Sequence, residues 1–408
     1  MSPVSKPGPD TAFDGLNLTP EDIFDSASVR KELARAIEAA GGEAKAIRTA
    51  TVAVLRAAID RGRSTIAQAF QERPLSARLT LRAYNHLMDG VIETTFHVAT
   101  QTLHPNPNPT EGERLAVIAV GGYGRGEMAP HSDVDLLFLM PWKITPWAES
   151  LIESMLYIFW DLHLKVGHAS RSIKDCLRLA RDDYTIRTAL LENRHLTGDT
   201  GLAQELDAKL KNDLFKGTVA DFIEAKLAER AVRHRKQGGQ RYMVEPNLKE
   251  GKGGLRDLQT LYWIGKYIHG VESARELVGF GLFSQEEYDR FRDAETFLMA
   301  ARCHLHLVAG RPTEQLTFDM QVEVAERMGY VDKGGRRAVE HFMQDYFRHA
   351  TAVGEVTRIF LTVLEANHVK QAPSLVSFFQ RKRKVKPDFV VKQNRLAVAR
   401  PKTFLKDK

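Results

Sequence analysis

Two aspartates separated by a single residue, Asp133 and Asp135, are the side chains in this sequence best suited to bind a cation. Side chains two residues apart on a strand point to the same face, so both carboxylates would project together. Two like charges this close are unfavourable unless a cation or a proton compensates them. The apolar run at 136–140 predicts a buried strand, in which charged side chains need a purpose. The pair therefore predicts a site for a divalent cation.

A glycine-rich turn precedes the aspartates. The apolar run at 115–120 predicts a strand that leads into Gly121 and Gly122, so the expected order is strand, glycine turn, short helix, acidic strand. Backbone N–H groups at such a helix start favour an anion such as a triphosphate. The dinucleotide-binding template does not fit, because Glu127 stands where its last glycine should be. The Gly-Lys pair at 251–252 lacks the Ser or Thr of a Walker A loop.

Periodicity and proline content divide the rest of the chain into segments. Three prolines within 104–109 exclude both helix and strand there. Thr19, followed by a proline and two acids, predicts a helix N-terminus. The predicted segments are a disordered tail (1–20), an N-terminal helical segment with a Pro-rich linker (21–108), a small α/β unit (109–200), a helical domain (201–370) and a basic linker that looks like the start of a further domain (371–408). Within the α/β unit we expect helices over 146–163, 174–181 and 184–194 and a strand over 164–173.

Composition indicates an ordinary globular protein. With 408 residues, 27% charged and 43% hydrophobic, the chain can form two or three domains. No apolar run approaches the roughly 18 residues needed to span a bilayer, and the polar N-terminus has no signal-peptide core. Cys176 and Cys303 have no disulfide-framework or metal-ligand spacing. We therefore expect a cytoplasmic location, reduced thiols and no membrane partner.

Part of the net charge of +6 is concentrated in one short segment, because four basic residues follow one another at 381–384. Such runs can contact nucleic acid. No aromatic side chains of the stacking kind accompany this one, so we interpret it as a solvated linker and expect no nucleic-acid partner. A phosphate-bearing substrate or an acidic partner surface would also use the surplus charge.

The glycine pair Gly121-Gly122 and the acidic pair Asp133 and Asp135 together resemble the signature of the polymerase-β-like nucleotidyltransferases. A narrower pattern is similar to the family of bifunctional uridylyltransferase/uridylyl-removing enzymes, which modify the nitrogen-signalling protein PII. The residues that carry it are Arg125, Glu127, Pro130 and Ser132. Further segments similar to that family lie at 160–173, 245–258 and 305–330, so the resemblance runs from about residue 50 to the end.

The resemblance implies an α+β fold, with a polymerase-β-like nucleotidyltransferase mixed sheet, N-terminal helices and a following all-helical domain. The nucleotide would lie between the sheet and the helical domain. Asp133 and Asp135 would be the catalytic residues and would hold Mg²⁺ or Mn²⁺. The expected nucleotide and phosphate contacts are Gly121, Gly122, Arg125, Ser132, Lys249 and Arg256. Arg125 and Ser132 could equally be structural caps, and the loop that carries Lys249 could be an ordinary helix–helix connection.

A third carboxylate is not identified by the pattern. Lys165 stands where the family can carry a glutamate, and the expected strand 164–173 contains no acid. The remaining candidates, each better interpreted as structural, are Asp161, Asp182 and Glu192. Two carboxylates completed by water and phosphate oxygens are chemically sufficient for Mg²⁺.

The family's activity would be the transfer of UMP from UTP to a tyrosine hydroxyl of PII, with release of pyrophosphate. The sequence contains no His-Asp dipeptide, so it resembles the family's N-terminal part without the HD-type hydrolase or the ACT domains that sense glutamine. Two alternatives stay open. One is another nucleotidyltransferase, which adenylylates a protein or extends RNA, and the other is a regulatory domain that binds nucleotide without transferring it.

Overall fold

The computed structural model describes residues 13–368 and the short strands Phe389–Lys392 and Arg395–Val398. The chain divides into two compact units, Met1–Phe360 and Leu361–Lys408. In the second unit the two short strands pair antiparallel. The predicted disorder of residues 1–12, and most of the predicted basic segment 371–408, lie outside the described residues.

The ordered chain begins before residue 20, which is earlier than predicted. Phe13 and Leu16 are buried in the same apolar core as the long helices that follow, because both side chains find apolar partners there. The predicted helix start at Thr19 is confirmed, since its hydroxyl accepts a hydrogen bond from the Asp22 amide while the Asp22 carboxylate accepts one from the Thr19 amide. Residues 104–109 are neither helix nor strand, as their prolines predict.

Helices make up most of the described chain. Leaving aside short 3-10 and π turns, they are α1 Pro20–Ile23, α2 Ser26–Ala39, α3 Ala44–Glu72, α4 Ala77–Val98, α5 Gly121–Gly124, α6 Pro146–Asp161, α7 Ile173–Asp182, α8 Tyr184–Leu191, α9 Thr200–Lys209, α10 Val219–Lys236, α11 Leu255–His269, α12 Gln285–Ala309, α13 Phe318–Arg327 and α14 Ala338–His368. Among these described helices, none combines the length and apolar character needed to cross a bilayer.

A four-stranded mixed sheet lies in the first unit. Its strands are β1 Ala116–Ala119, β2 Val134–Met140, β3 Val166–Ser172 and β4 Arg194–Gly198. The order across the sheet is β3-β2-β1-β4, with β2 and β3 parallel and the other neighbours antiparallel. The predicted mixed sheet is confirmed, together with the predicted order of strand, glycine turn, short helix and acidic strand.

The helix predicted over 184–194 is too long. Helix α8 ends at Leu191, and the chain turns into β4 at Arg194. The short segment that forms β4 is largely polar, and it is a strand because it pairs with β1 along the edge of the sheet. Such a long-range pairing leaves no periodicity in so short a segment, which explains why the sequence did not predict it.

The two central strands of the sheet, β1 and β2, are largely buried on both faces. Alternate side chains of β1 and β2 face two separate apolar clusters, one formed with α3, α4 and α6 and the other with α7 and α9. The first face carries Val117, Ala119, Leu136 and Phe138, and the second carries Ala116, Ile118, Leu137 and Leu139. Each fully buried large apolar side chain of this kind contributes about 1.5–3 kcal/mol. Two helical layers therefore hold rigidly the strand on which the aspartates lie.

Candidate active site

All eight predicted site residues line one cleft of about 530 Å³. The glycine turn and the acidic strand form one wall, and the segment around α11 forms the opposite wall. The residues of the first wall are Gly121, Gly122, Arg125, Ser132, Asp133 and Asp135, and those of the second are Lys249 and Arg256. The tertiary structure thus brings together two groups of residues that lie far apart along the chain.

The two aspartates lie at the start of β2. Asp133 directly precedes the strand and is exposed, whereas Asp135 is its second residue and is partly buried. Burial raises the pKa of Asp135, the negative charge of Asp133 raises it further, and the positive charge of Lys249 opposes both effects. The raised pKa indicates that the surroundings of Asp135 do not fully balance the negative charge of its carboxylate. A bound cation would supply the missing positive charge.

The glycine turn passes directly beside Asp135. Gly121 has a φ of +60°, which favours glycine, and a Cβ on it would lie 3.5 Å from Oδ2 of Asp135. The first amides of a helix have no partner within that helix, so the amides of Gly121 and Gly122 are available to an anion. The backbone amides of the turn and the Asp135 carboxylate therefore lie side by side, and their binding of phosphate and of a cation stays a prediction.

Gly124 is where the turn approaches another part of the chain most closely. A Cβ there would lie 1.9 Å from the carbonyl oxygen of Glu192 and 2.8 Å from that of Ala119. We expect Gly124→Ala to lower the free energy of unfolding by about 1–3 kcal/mol, because the added methyl group must displace the backbone. Urea denaturation measures this loss. Gly122→Ala is the matched control, since its nearest neighbour would be Nη2 of Arg125 at 3.9 Å. Equal losses in the two variants would contradict the prediction.

Arg125 and Ser132 both make structural hydrogen bonds. Arg125 donates from Nε to Glu127 at 2.5 Å and from Nη1 to Glu192 at 2.5 Å, and its side chain is largely buried. The hydroxyl of Ser132 accepts a hydrogen bond from the Ala129 amide at 3.1 Å. Both residues therefore shape the turn. Their predicted contact with phosphate stays a prediction.

The loop before α11 brings Lys249 and Arg256 to the cleft. Nζ of Lys249 lies 3.8 Å from Glu314, and burial, with the charge of Arg302, lowers the pKa of Lys249. Arg256 donates to the Glu250 carboxylate at 3.0 Å and to the Gln259 amide oxygen at 2.9 Å. Both side chains are therefore paired with a glutamate, and the positive charge of Lys249 also acts on Asp135.

One fully buried carboxylate, that of Asp257, anchors this loop to α10. It accepts hydrogen bonds from Arg230 at 3.1 Å, from Arg233 at 2.5 Å and from the Gly253 amide at 2.9 Å, and Nε2 of His234 lies 2.8 Å away. Burial alone would raise the pKa of Asp257. The hydrogen bond from His234 and the charges of the two arginines instead hold it well below its usual range.

The candidates for a third carboxylate occupy different places. Glu192 lines the cleft, but its carboxylate is bonded to Arg125. Asp161 pairs with Arg48 at the surface, and Asp182 ends α7. On β3 the residue opposite Asp135 is a glycine, Gly167, and a Cβ there would lie 2.5 Å from Oδ1 of Asp135. Within the residues described, no group of three or more His, Cys, Asp or Glu side chains is arranged to hold a metal.

Other residues of the cleft were not anticipated from the sequence. Lys226 is buried, with Nζ 2.6 Å from Glu229 and 5.1 Å from the ring centroid of Trp263. Arg302 donates to Glu314, whose pKa falls to about 2 because the nearby His306 and the hydrogen bonds and charge of Arg302 outweigh its burial. These side chains belong to helices or to a short connection. Their spacing resembles that of ordinary core and surface positions, so no motif could have identified them.

The mixed sheet, with its glycine turn and acidic strand, and the helices that follow it form an α+β fold that is consistent with the nucleotidyltransferase class. Comparisons with known proteins agree with this class. A family model described as GlnD PII-uridylyltransferase matches residues 221–361. A second family model, described as glutamate-ammonia ligase adenylyltransferase, matches residues 12–154.

Curated relatives narrow the class to a family. The chain is 57% identical to a bifunctional uridylyltransferase/uridylyl-removing enzyme of Cereibacter sphaeroides, over 100% of the chain and 44% of that protein. It is 61% identical to an enzyme of the same name from Ruegeria pomeroyi, over 95% of the chain and 42% of that protein. The chain belongs to the family of the bifunctional uridylyltransferase/uridylyl-removing enzymes, and it spans less than half the length of these relatives.

Proposed function

We propose that the protein transfers UMP from UTP to a tyrosine hydroxyl of PII and releases pyrophosphate. The observation that carries the proposal is the position of Asp133 and Asp135 beside the glycine turn, in one cleft with Lys249. The names of the relatives support uridylyl transfer, and the family model over 221–361 supports PII as the acceptor.

Asp133 and Asp135 are the residues that would hold Mg²⁺ or Mn²⁺. Their carboxylate oxygens are the hard ligands that these cations prefer, and the raised pKa of Asp135 fits a site that gains from a cation. When bound, the cation would polarise the α-phosphate and neutralise charge that develops on the leaving pyrophosphate. The metal requirement is itself part of the proposal.

The chain's own residues would bind the nucleotide and orient it. The amides of Gly121 and Gly122 donate hydrogen bonds to the β- and γ-phosphates, and Lys249 faces the same phosphates from the opposite wall. The tyrosine hydroxyl attacks the α-phosphorus in line. A bond forms between the tyrosine oxygen and phosphorus while the bond from phosphorus to the bridging oxygen breaks, and pyrophosphate leaves. The proton of the hydroxyl would pass to a carboxylate such as that of Asp135, or its removal would be assisted by the metal.

A nucleotide panel tests this function. The protein is incubated with PII and Mg²⁺ and with each of the four nucleoside triphosphates labelled at the α-phosphate. We expect label on a PII tyrosine from UTP alone, with one pyrophosphate released for each UMP transferred. PII with that tyrosine changed to phenylalanine is the control, because it keeps the protein surface and lacks the acceptor oxygen.

Adenylyl transfer is the second candidate, because residues 12–154 match the adenylyltransferase family model. If label from ATP appeared on PII or on another protein, the proposed activity would be adenylyl transfer instead of uridylyl transfer. Nucleotide binding without pyrophosphate release would instead indicate a regulatory domain. The cytoplasmic location and the lack of a nucleic-acid partner stay predictions.

A further inference from the structure

A second pocket, of about 230 Å³, lies next to the cleft and shares Ser132 and Pro312 with it. Its lining is strongly basic, and among the residues that the structure describes no aspartate or glutamate lines it. The side chains that can carry a positive charge are Arg63, His131, His163, Lys165 and Arg311. They come from α3, from the turn before β2, from the connection between α6 and β3, and from the segment after α12. The fold therefore brings basic residues from separate parts of the chain to one small cavity.

The charges of this basic pocket are not compensated by acids. Within the described residues, the side chains of Arg63, Lys165 and Arg311 form no hydrogen bond or ion pair with a carboxylate. The arginines of the neighbouring cleft differ, since Arg125 and Arg256 are both held by glutamates. Like charges that converge without counter-charges repel each other, and a bound anion would relieve that repulsion.

The charges are also close enough to act on one another. Arg63 and Lys165 line the same small cavity as His131. The rings of His131 and His306 lie 6.4 Å apart, measured between centroids. Lysines and arginines on an ordinary solvated face point outward and apart. Here they surround a cavity that Tyr84 also lines.

We propose that this basic pocket binds a small multivalent oxyanion of the phosphate and pyrophosphate class. Guanidinium groups suit such ligands because their planar forks bind phosphate oxygens in pairs. The size also fits, since the pocket is smaller than the roughly 300–1,000 Å³ typical of sites for drug-sized molecules. The pocket adjoins the cleft that would hold the nucleotide, but the basic side chains that carry the inference are not among the eight predicted site residues, so the inference does not depend on the proposed function.

Calorimetric titration with two anions tests the proposal. The protein is titrated with pyrophosphate and, separately, with orthophosphate, at constant ionic strength and without divalent cations. The test variant is Lys165→Ala with Arg311→Ala, and the matched control is Lys143→Ala with Arg61→Ala, because all four side chains are exposed and only the first two line the pocket. We expect the test variant to bind the preferred anion at least about tenfold more weakly than the control, the loss typical of removing charged hydrogen bonds.

Comparing the two anions shows which kind of phosphate ligand the basic pocket prefers. Tighter binding of pyrophosphate would indicate an anion with linked phosphates, such as the leaving group of nucleotidyl transfer, and tighter binding of orthophosphate would indicate a free phosphate. Arg63→Gln is a third variant and should weaken the same anion, with circular dichroism used to confirm that it is folded. Equal affinities in the test and control variants, or no anion binding by the unaltered protein, would overturn the proposal.

Discussion

Changing Asp133 and Asp135 together to asparagine is expected to lower the rate of UMP transfer by about 10³-fold or more. The reason is electrostatic, since two carboxylates are the groups that would hold the cation, and amides bind Mg²⁺ weakly. Removing one preorganised group that stabilises developing charge typically costs about 10²–10³ in rate. Initial rates with α-labelled UTP and PII, measured across a range of Mg²⁺ concentrations, give the effect.

The same variant should be no less stable than the unaltered protein. Burial and the charge of Asp133 raise the pKa of Asp135, so its ionised form is disfavoured by folding at neutral pH, and an amide removes that penalty. We expect the free energy of unfolding at pH 7, without divalent cations, to stay the same or to rise. Asp182→Asn is the matched control for activity, because Asp182 is an exposed acid at the end of α7. Full activity in the double variant would contradict the site.

Removing the buried carboxylate in Asp257→Ala is expected to lower the free energy of unfolding by about 3–5 kcal/mol, because it leaves buried cations without their partner. Arg233 is the most affected, since its side chain is only 9% exposed and it donates to Asp257 at 2.5 Å. The amide of Gly253 loses its acceptor as well, so the loop that carries Lys249 is released. Chemical denaturation with guanidinium chloride measures the loss.

A surface ion pair provides the control for Asp257. Asp161→Ala removes an exposed partner of Arg48 at 3.3 Å and should change the free energy of unfolding by about 0–1 kcal/mol. A second check is pH. The pKa of Asp257 is depressed in the folded protein, so its contribution is complete above about pH 4 and is lost as the pH falls further. The variant should therefore show a weaker loss of stability with acid than the unaltered protein. Similar losses in Asp257→Ala and Asp161→Ala would contradict this account.

Local features were predictable because they depend on few neighbouring residues. The Thr19 hydroxyl caps α1 through a residue three positions away. The apolar run after Asp135 indicated a strand buried on both faces, and the structure packs helices against both faces of β2. The glycine turn could be placed as well, since a φ of +60° at Gly121 suits a residue without a side chain. These features arise from local sterics, hydrogen bonding and periodicity.

Other features could not be inferred from the sequence because they depend on long-range packing. The strand β4 exists because it pairs with β1, and its own residues show no strand periodicity. The sequence left two roles open for Arg125, a contact with phosphate or a structural cap. Only the structure shows that Glu192, at the end of α8, accepts a hydrogen bond from the Arg125 side chain. The sequence shows that the expected strand 164–173 contains no acidic residue. Which residue of that strand lies opposite Asp135 depends on the register of β3, and the structure shows that it is Gly167.

The sequence by itself determined the chemistry of one wall, namely the paired acids and the glycine turn on consecutive elements. The family resemblance also gave Lys249 and Arg256 as expected contacts, but only the tertiary structure shows that they line the same cleft as the acids and that the buried Asp257 anchors their loop. The same holds for the basic pocket, whose charges converge from four segments. The physical reason is that a short motif specifies the direction of its own side chains, whereas the meeting of distant segments depends on how whole helices pack against the sheet.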